Sequence, residues 1–296
     1  MSNKDAGKVK FNNTMDFKDP EWNRDAYARL QGDLDMKSTR YGWLGGPVVG
    51  VVPGEKVRPL FNMEGFSTSR VIPIEGGYRQ LRHELVVYKD LETGKILKTW
   101  TNPYTNEAVR VVPIFNDPFN YNITLTHPEP WSLGGLNKEK APPGPLLLPW
   151  SIKGDMLLLS IDVHFYYPNA LQPDKWPRES AGPMVQMSEF YRHYCRLEDM
   201  KNPALTQVPV WGVWGRITPW LPWMLMGTAP GHVMYEVDFA CSSRPGDASP
   251  ELMALIEAEY PKLLTPPESD YGPSLTSLEN YAQFAKPAPV KTAPSK

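Results

Sequence analysis

DMLLLSIDVHFYY, Asp155 to Tyr167, is the stretch that decides the fold class. Its apolar residues fall at every second position: Leu157, Leu159, Ile161, Val163 and Phe165 share one face, while Ser160, Asp162, His164 and Tyr166 share the other. Side chains of an extended strand point alternately to the two sides of its sheet, so this period means a strand with one buried face. Two readings of the polar face stand at this point. In a sheet with one wet side it is exterior; in an antiparallel barrel it lines the interior, and its polar side chains become a site.

The pattern recurs on both sides of that stretch. VVGVV, RVIPI and GYRQLRHELVVYKD precede it, and MVQMSEFYRHYCRL, VWGVWGRITPW and HVMYEVDFACS follow it, each rich in β-branched and aromatic residues. Short turns at Glu92–Gly94 and Asn102–Asn106 divide YKDLETGKILKTWTNPYTNEAVRVVPIF into strand-like runs, which predicts an antiparallel meander. The punctuation by 32 prolines and 22 glycines excludes a bundle of long helices. Helices are expected only at the ends. Asp19 before Pro20 reads as the cap and first residue of a helix over about Asp19 to Leu34, whose thin apolar content predicts that it lies across a surface. SPELMALIEAEYPKLL, from Ser249, puts Leu252, Leu255 and Ile256 on one side of a second helix. The expected architecture is mainly β: an N-terminal helical arm over 1–40, an antiparallel β-barrel of calycin or lipocalin type over 41–248, and over 249–296 C-terminal helix followed by a disordered tail, KPAPVKTAPSK.

Charge narrows the partners. Lys and Arg number 31 and Asp and Glu 33, a formal charge of -2, so no long-range field draws the chain to nucleic acid or to an anionic membrane surface. MSNKDAGKVKFNNT has no apolar run behind its lysines, which makes the cytoplasm the expected location. Cys195 and Cys241 form no zinc-type cluster, and neither a nucleophile elbow, a dinucleotide fingerprint nor a P-loop occurs, so no cofactor and no metal is expected.

Acid and base candidates remain. Asp162 and His164 project from one strand face about 7 Å apart, close enough for the carboxylate to orient the imidazole directly or through water. Tyr166 follows on the same face. Glu189 and His193, four apart, share a face in either a strand or a helix. These two pairs together hold two histidines and two carboxylates, a set that suits iron, manganese or zinc if the strands adjoin. In GYRQLRHELVVYKD, Arg82 and Glu84 alternate in phase with Tyr78, Gln80 and Tyr88; turned inward, Arg82 would suit a phenolate or carboxylate, and turned outward the row is a salt-bridged exterior. PWLPWMLMGTAPG, Pro219 to Gly231, holds Trp220 and Trp223 between prolines, with Met224 and Met226 beside them. It reads as the wall of an aromatic pocket, as packed core, or as the seam of a homodimer.

Long segments carry a resemblance. VPGEKVRPLFNMEGFSTSR, GYRQLRHELVVYKDLETGKILKTWTNPYTNEAVRVVPIFNDP, WPRESAGP and PWLPWMLMGTAPG resemble a bacterial family catalogued as domain of unknown function 1838, over about Tyr41 to Ser242. The turn after Tyr104 reads TNE where Thr-Gly-Glu is expected, which puts that turn's geometry in question. The resemblance implies an association with bacteria that dismantle lignin-derived aromatic dimers, where lyases needing no cofactor release formaldehyde. The expected function is accordingly a carbon-carbon lyase acting on a small aromatic substrate within the barrel. His164 oriented by Asp162 is the base, Tyr166 or Glu189 the acid, and Arg82, Tyr88, His193, Trp220 and Trp223 bind substrate. The alternatives are a carrier of an apolar aromatic ligand, without acid and base, and a metal-dependent enzyme using both His-carboxylate pairs.

Overall fold

Helix α1 (Pro20–Gln31) precedes three long strands, β1 (Arg40–Val51), β2 (Arg58–Ile74) and β3 (Gly77–Lys89), in a computed structural model that describes residues 14–126, 144–246, 248–270 and 272–289. The hairpin β4 (Thr99–Thr101) and β5 (Ala108–Arg110) comes next, then β6 (Ile114–Asn116) and β7 (Tyr121–Thr124). The second half holds β8 (Trp150–Lys153), β9 (Met156–Pro168), β10 (Met184–Arg196), β11 (Val210–Thr218) and β12 (His232–Ser242). Short helix α2 (Leu197–Lys201) follows β10, and α3 (Pro250–Glu259) and α4 (Ser277–Phe284) follow β12. His127 and the tail beyond 289 lie outside the described residues. Among the described residues no helix is long and apolar enough to cross a membrane.

The fold is mainly β and antiparallel. Ten strands form one sheet in the order β6-β3-β2-β1-β12-β11-β10-β9-β8, with β7 also on β3, and β4 pairs with β5 apart from it. The run expected to form a meander, from β3 through the turns at Glu92–Gly94 and Asn102–Asn106, does not stay in one sheet. Consecutive antiparallel pairing is found in β1, β2 and β3; after β3 only a single bridge, Lys89 to Ile96, follows, and β4 and β5 form a hairpin of their own. Its turn keeps a left-handed residue without glycine: Asn106 has φ 56°, a conformation Asn tolerates better than most residues.

The sheet curls strongly. Tyr88 of β3, Ile114 of β6, Tyr167 of β9, Arg216 of β11 and Tyr235 of β12 line one cavity, which a flat sheet of this order would hold far apart. Two glycines allow neighbouring backbones to close in at the bends. A Cβ on Gly46 would lie 2.3 Å from the Glu236 carbonyl oxygen, and one on Gly212 would lie 1.9 Å from that of Arg192. No closed barrel is found among the described residues. The strands at the two ends of the sheet do not pair, and a single bridge, Thr126 to Pro145, joins the chain beyond β7 to the approach to β8.

Helix α1 spans that opening, and does not lie across a surface as its composition suggests. Trp22, Ala26 and Leu30, one stripe at every fourth residue, pack with Trp150, Leu157, Leu159, Cys195 and Val210, while Ala28 packs with Val71, Tyr78 and Ile123 from the other side. The remaining contacts are polar, which is why a count of apolar residues misleads. Asn23 accepts from Leu148 N at 2.9 Å and from Trp150 Nε1 at 2.8 Å. Arg29 donates to the backbone carbonyls of Met200 (2.8 Å), Leu205 (2.9 Å), Asn202 (2.9 Å) and Asp199 (3.2 Å), so all three nitrogens of its guanidinium meet a partner. Burial also lowers the Arg29 pKa to about 10.

Outside, the described residues cover one half of the sheet only. Leu252 and Ile256 of α3, with Leu263, cover Phe66, Leu85 and Val87, as the amphipathic pattern of the helix predicts. The outer side of β9 to β11 is open, with Tyr166, Trp211 and Ile217 exposed. Trp22→Ala is expected to cost about 3–5 kcal/mol in a denaturant unfolding curve, as truncation of a packed aromatic does; a surface helix would lose almost nothing.

Candidate functional site

Strand parity sorts the candidate residues. On β9 the odd positions face inward, and the register Glu189 to Val163, Tyr191 to Ile161 and His193 to Leu159 puts those residues of β10 on the same inner face. Asp162, His164 and Tyr166 are paired with Phe190, Ser188 and Gln186 and face outward. The Tyr166 side is wet: that residue is 62% exposed. Asp162 forms an exposed ion pair with Arg192 at 2.5 Å, and His164 Nδ1 lies 2.9 Å from Ser188 Oγ. The polar face of DMLLLSIDVHFYY is thus exterior, and its three residues do not join Glu189 and His193. For the same reason the two His-carboxylate pairs lie on opposite faces of adjacent strands and cannot enclose one metal. Among the described residues no group of three His, Cys, Asp or Glu is placed to hold one.

The inner face carries another constellation, centred on Tyr191. Its hydroxyl donates to Glu189 Oε2 at 2.6 Å, and Glu189 Oε1 lies 3.5 Å from Nε of Arg216, its register partner on β11. Across the interior, Arg82 pairs with Glu84 on the same strand, and Asn116 Nδ2 donates to Glu84 Oε1 at 2.8 Å. The two groups feel each other. Burial, then Glu189 beside it and Glu84 across from it, raise the Tyr191 pKa well above the ordinary phenol value, so the phenol keeps its proton. For Arg216 burial opposes the charge, but Glu189 and the phenols of Tyr235, Tyr167 and Tyr191 outweigh it and the pKa rises. Arg82 is therefore inward, yet its charge is already matched by Glu84, which corrects the expectation of a guanidinium waiting for an anion.

Tyr88 and His193 are inward as well. Tyr88 Oη lies 3.4 Å from Tyr235 Oη. His193 stacks on Tyr191 with ring centroids 6.1 Å apart and meets Phe239 edge-on at 5.1 Å. Burial lowers its pKa to about 4, a hydrogen bond to the Leu159 backbone offsetting part of the effect. Buried polar atoms ordinarily find partners. On this face, however, His193 Nδ1, Trp214 Nε1, Gln80 Oε1 and the Nε atoms of Arg40, Arg82 and Arg216 have no hydrogen-bond partner among the described residues.

Trp220 and Trp223 are core and wall at once. Each is 4% exposed. The Trp223 ring lies 5.3 Å from Tyr88, 5.5 Å from Phe61 and 5.7 Å from Trp100, and Trp220 Nε1 donates to the Ala229 carbonyl at 3.1 Å. Both line a cavity of about 90 Å³ that Arg216, Tyr235 and Tyr167 bound on the sheet side, and Leu278 and Tyr281 of α4 on the other. Pocket wall and packed core were alternatives in the sequence and are one thing in the structure.

Residues 36–285 match the model of a family described as protein of unknown function, DUF1838. The chain belongs to this family. No curated protein matches the chain. The DUF1838 span includes every inward residue named above and the α4 side of the cavity, and leaves out α1. Three residues of this inner group escape a sequence reading: Tyr191, Arg216 and Tyr235. The signal was present in part, because Tyr191 sits in phase between Glu189 and His193.

His193 makes stability depend on pH. Its pKa is about 4 in the fold against 6.5 ordinarily, so the unfolded chain takes up a proton first as pH falls. The contribution is complete above about pH 6.5 and is lost on the way down to about pH 4, by about 2 kcal/mol between pH 7 and pH 5. Chemical unfolding at the two pH values should show this loss in the native chain and not in His193→Phe.

Proposed function

We propose that the curled sheet serves as a container of calycin type for a small aromatic molecule, and that Glu189 and Tyr191 perform acid-base chemistry on it. The observation that carries this reading is the inward group Tyr191-Glu189-Arg216. Taking charges out of water costs several kcal/mol per ion, and apolar residues of similar volume would serve stability as well or better. Aromatic walls supplied by Tyr88, Trp220, Trp223 and Tyr235 suit a planar body, and Arg216, whose Nε has no hydrogen-bond partner among the described residues, suits one of its oxygens.

The reaction proposed is the formaldehyde-releasing carbon-carbon cleavage implied by the family resemblance, with the base and acid now on β10. Glu189 takes the proton of a primary alcohol, the adjacent carbon-carbon bond breaks and formaldehyde leaves. The electron pair of that bond forms a carbon-carbon double bond and expels an oxygen leaving group, which takes the Tyr191 proton. The 2.6 Å contact then returns the proton from Glu189 to Tyr191, so both residues end as they began. A phenol whose pKa is raised is suited to donating only at the moment of need. A carrier is the second reading, favoured by the engagement of Glu189 on both sides, with Tyr191 and with Arg216.

Incubation with a panel of lignin-type aromatic dimers, assayed for formaldehyde and for the longer-wavelength absorbance of a stilbene product, should reveal turnover. Glu189→Gln and Tyr191→Phe should each lower it by about 10²-fold or more while ligand still binds. Binding without turnover by the native chain would establish the carrier, and turnover untouched in both variants would remove the acid-base assignment.

A further inference from the structure

WPRESAGP, Trp176 to Pro183, lies in the connection between β9 and β10 and brings a carboxylate, Glu179, to the cavity beside α4. The segment is tied down on every side. Ser180 N donates to the Trp176 carbonyl at 2.9 Å, Asn169 Nδ2 donates to the Gly182 carbonyl at 2.8 Å, and Trp176 meets Tyr281 of α4 edge-on with ring centroids 5.8 Å apart. Gly227 N donates to the Arg178 carbonyl at 2.8 Å, which joins the segment to PWLPWMLMGTAPG on the Trp220 side of the cavity. The neighbouring guanidinium is engaged elsewhere, since Arg178 pairs with Glu107 at 2.5 Å. Glu179 itself is 4% exposed: its Oε1 accepts from Ala288 N at 2.6 Å, and its Oε2 has no hydrogen-bond partner among the described residues.

A buried carboxylate oxygen left without a donor is costly, so a cavity wall that keeps one is built for a molecule that supplies the donor. The same cavity decides what kind of donor. Arg216 lines it too, and would repel a second cation such as an ammonium group; a neutral hydroxyl supplies Glu179 without bringing charge. Tyr88, Trp220, Trp223 and Tyr235 provide the aromatic lining. A cavity of about 150 Å³ holds one benzene, so the volume here, about 90 Å³, admits no more than a single ring. Helix α4, none of whose residues is buried, is the wall that can yield to it. Resting on the reading of the interior as a ligand site, we infer that the cavity beside α4 recognises an aromatic ring through a free hydroxyl that donates to Glu179, and discriminates against the same ring as its methyl ether. An ether has no proton to give, and sites built to bind a hydroxyl reject the analogue without it because their own buried group is left unpaired.

A matched pair of probes tests this. Binding of para-hydroxybenzaldehyde and of para-methoxybenzaldehyde to the full chain is measured by titration calorimetry at about pH 6, where the phenol keeps its proton. The hydroxy compound should bind at least about tenfold more tightly. In Glu179→Gln the Ala288 N–H claims the amide oxygen and leaves the amide NH₂, a donor, where Oε2 stood, so the preference should fall to about onefold or reverse. Glu179→Leu, which has no acceptor, should also abolish the preference if the first variant does not fold. The ether binding to the native chain as tightly as the phenol, or a preference unchanged in a folded variant, would overturn the inference and leave the interior site standing. Failure of both probes to bind the native chain would remove the interior site and the inference together.

Discussion

A carboxylate and a guanidinium held inside a curled sheet, Glu189 and Arg216, set the condition that the surrounding structure must meet. Neighbouring strands fix them in register, so neither can turn outward without moving every residue of its strand to the other face. Tyr191 answers one carboxylate oxygen, and the opposite wall supplies its own matched pair, Arg82 and Glu84. The inner face is consequently a polar layer, with two ion pairs, set between two apolar ends.

Those ends come from segments beyond the main strands. Helix α1 contributes Trp22, Ala26 and Leu30 to the core between β8, β9 and β10, and fastens itself through Arg29 to α2 and the segment after it and through Asn23 to the approach to β8. At the other end, Trp220 and Trp223 turn inward above Tyr88, and α4 sets Leu278 and Tyr281 against the cavity. The cap of α4 is reciprocal: Glu279 N donates to Thr276 Oγ1 while Thr276 N donates to Glu279 Oε2. An open sheet of this curvature is thereby closed by side chains and helices where strand pairing does not close it.

Much of this was legible in the sequence, and the failures have physical causes. Alternation in DMLLLSIDVHFYY and in MVQMSEFYRHYCRL marks the strands and ties Glu189 to His193. Alternation does not say which face is inside. The apolar face of β9 is the inner one, and the polar inner group arises on β10, where Glu189, Tyr191 and His193 are opposed to Val163, Ile161 and Leu159. β2 hides for another reason: Glu64, Phe66 and Thr68 lie under α3 and the segment after it, while Met63, Ser67 and Ser69 face inward, so both sides are buried and the period of two vanishes. Helix α1 looked like a surface element because its buried contacts rest on Asn23 and Arg29, residues that composition counts as polar.

Trp211 and Trp214 sit on opposite faces of β11, one exposed and one inward, so their indole N–H resonances report separately on the outside and the inside of the sheet. A titration with para-methoxybenzaldehyde followed by ¹⁵N–¹H spectroscopy, with both resonances assigned by Trp→Phe variants, locates the ligand directly. If the interior is the site, the Trp214 indole proton shifts and saturates with the ligand while Trp211 stays in place. A saturating shift of Trp211 with Trp214 unmoved would put binding on the outer face and contradict the interior site.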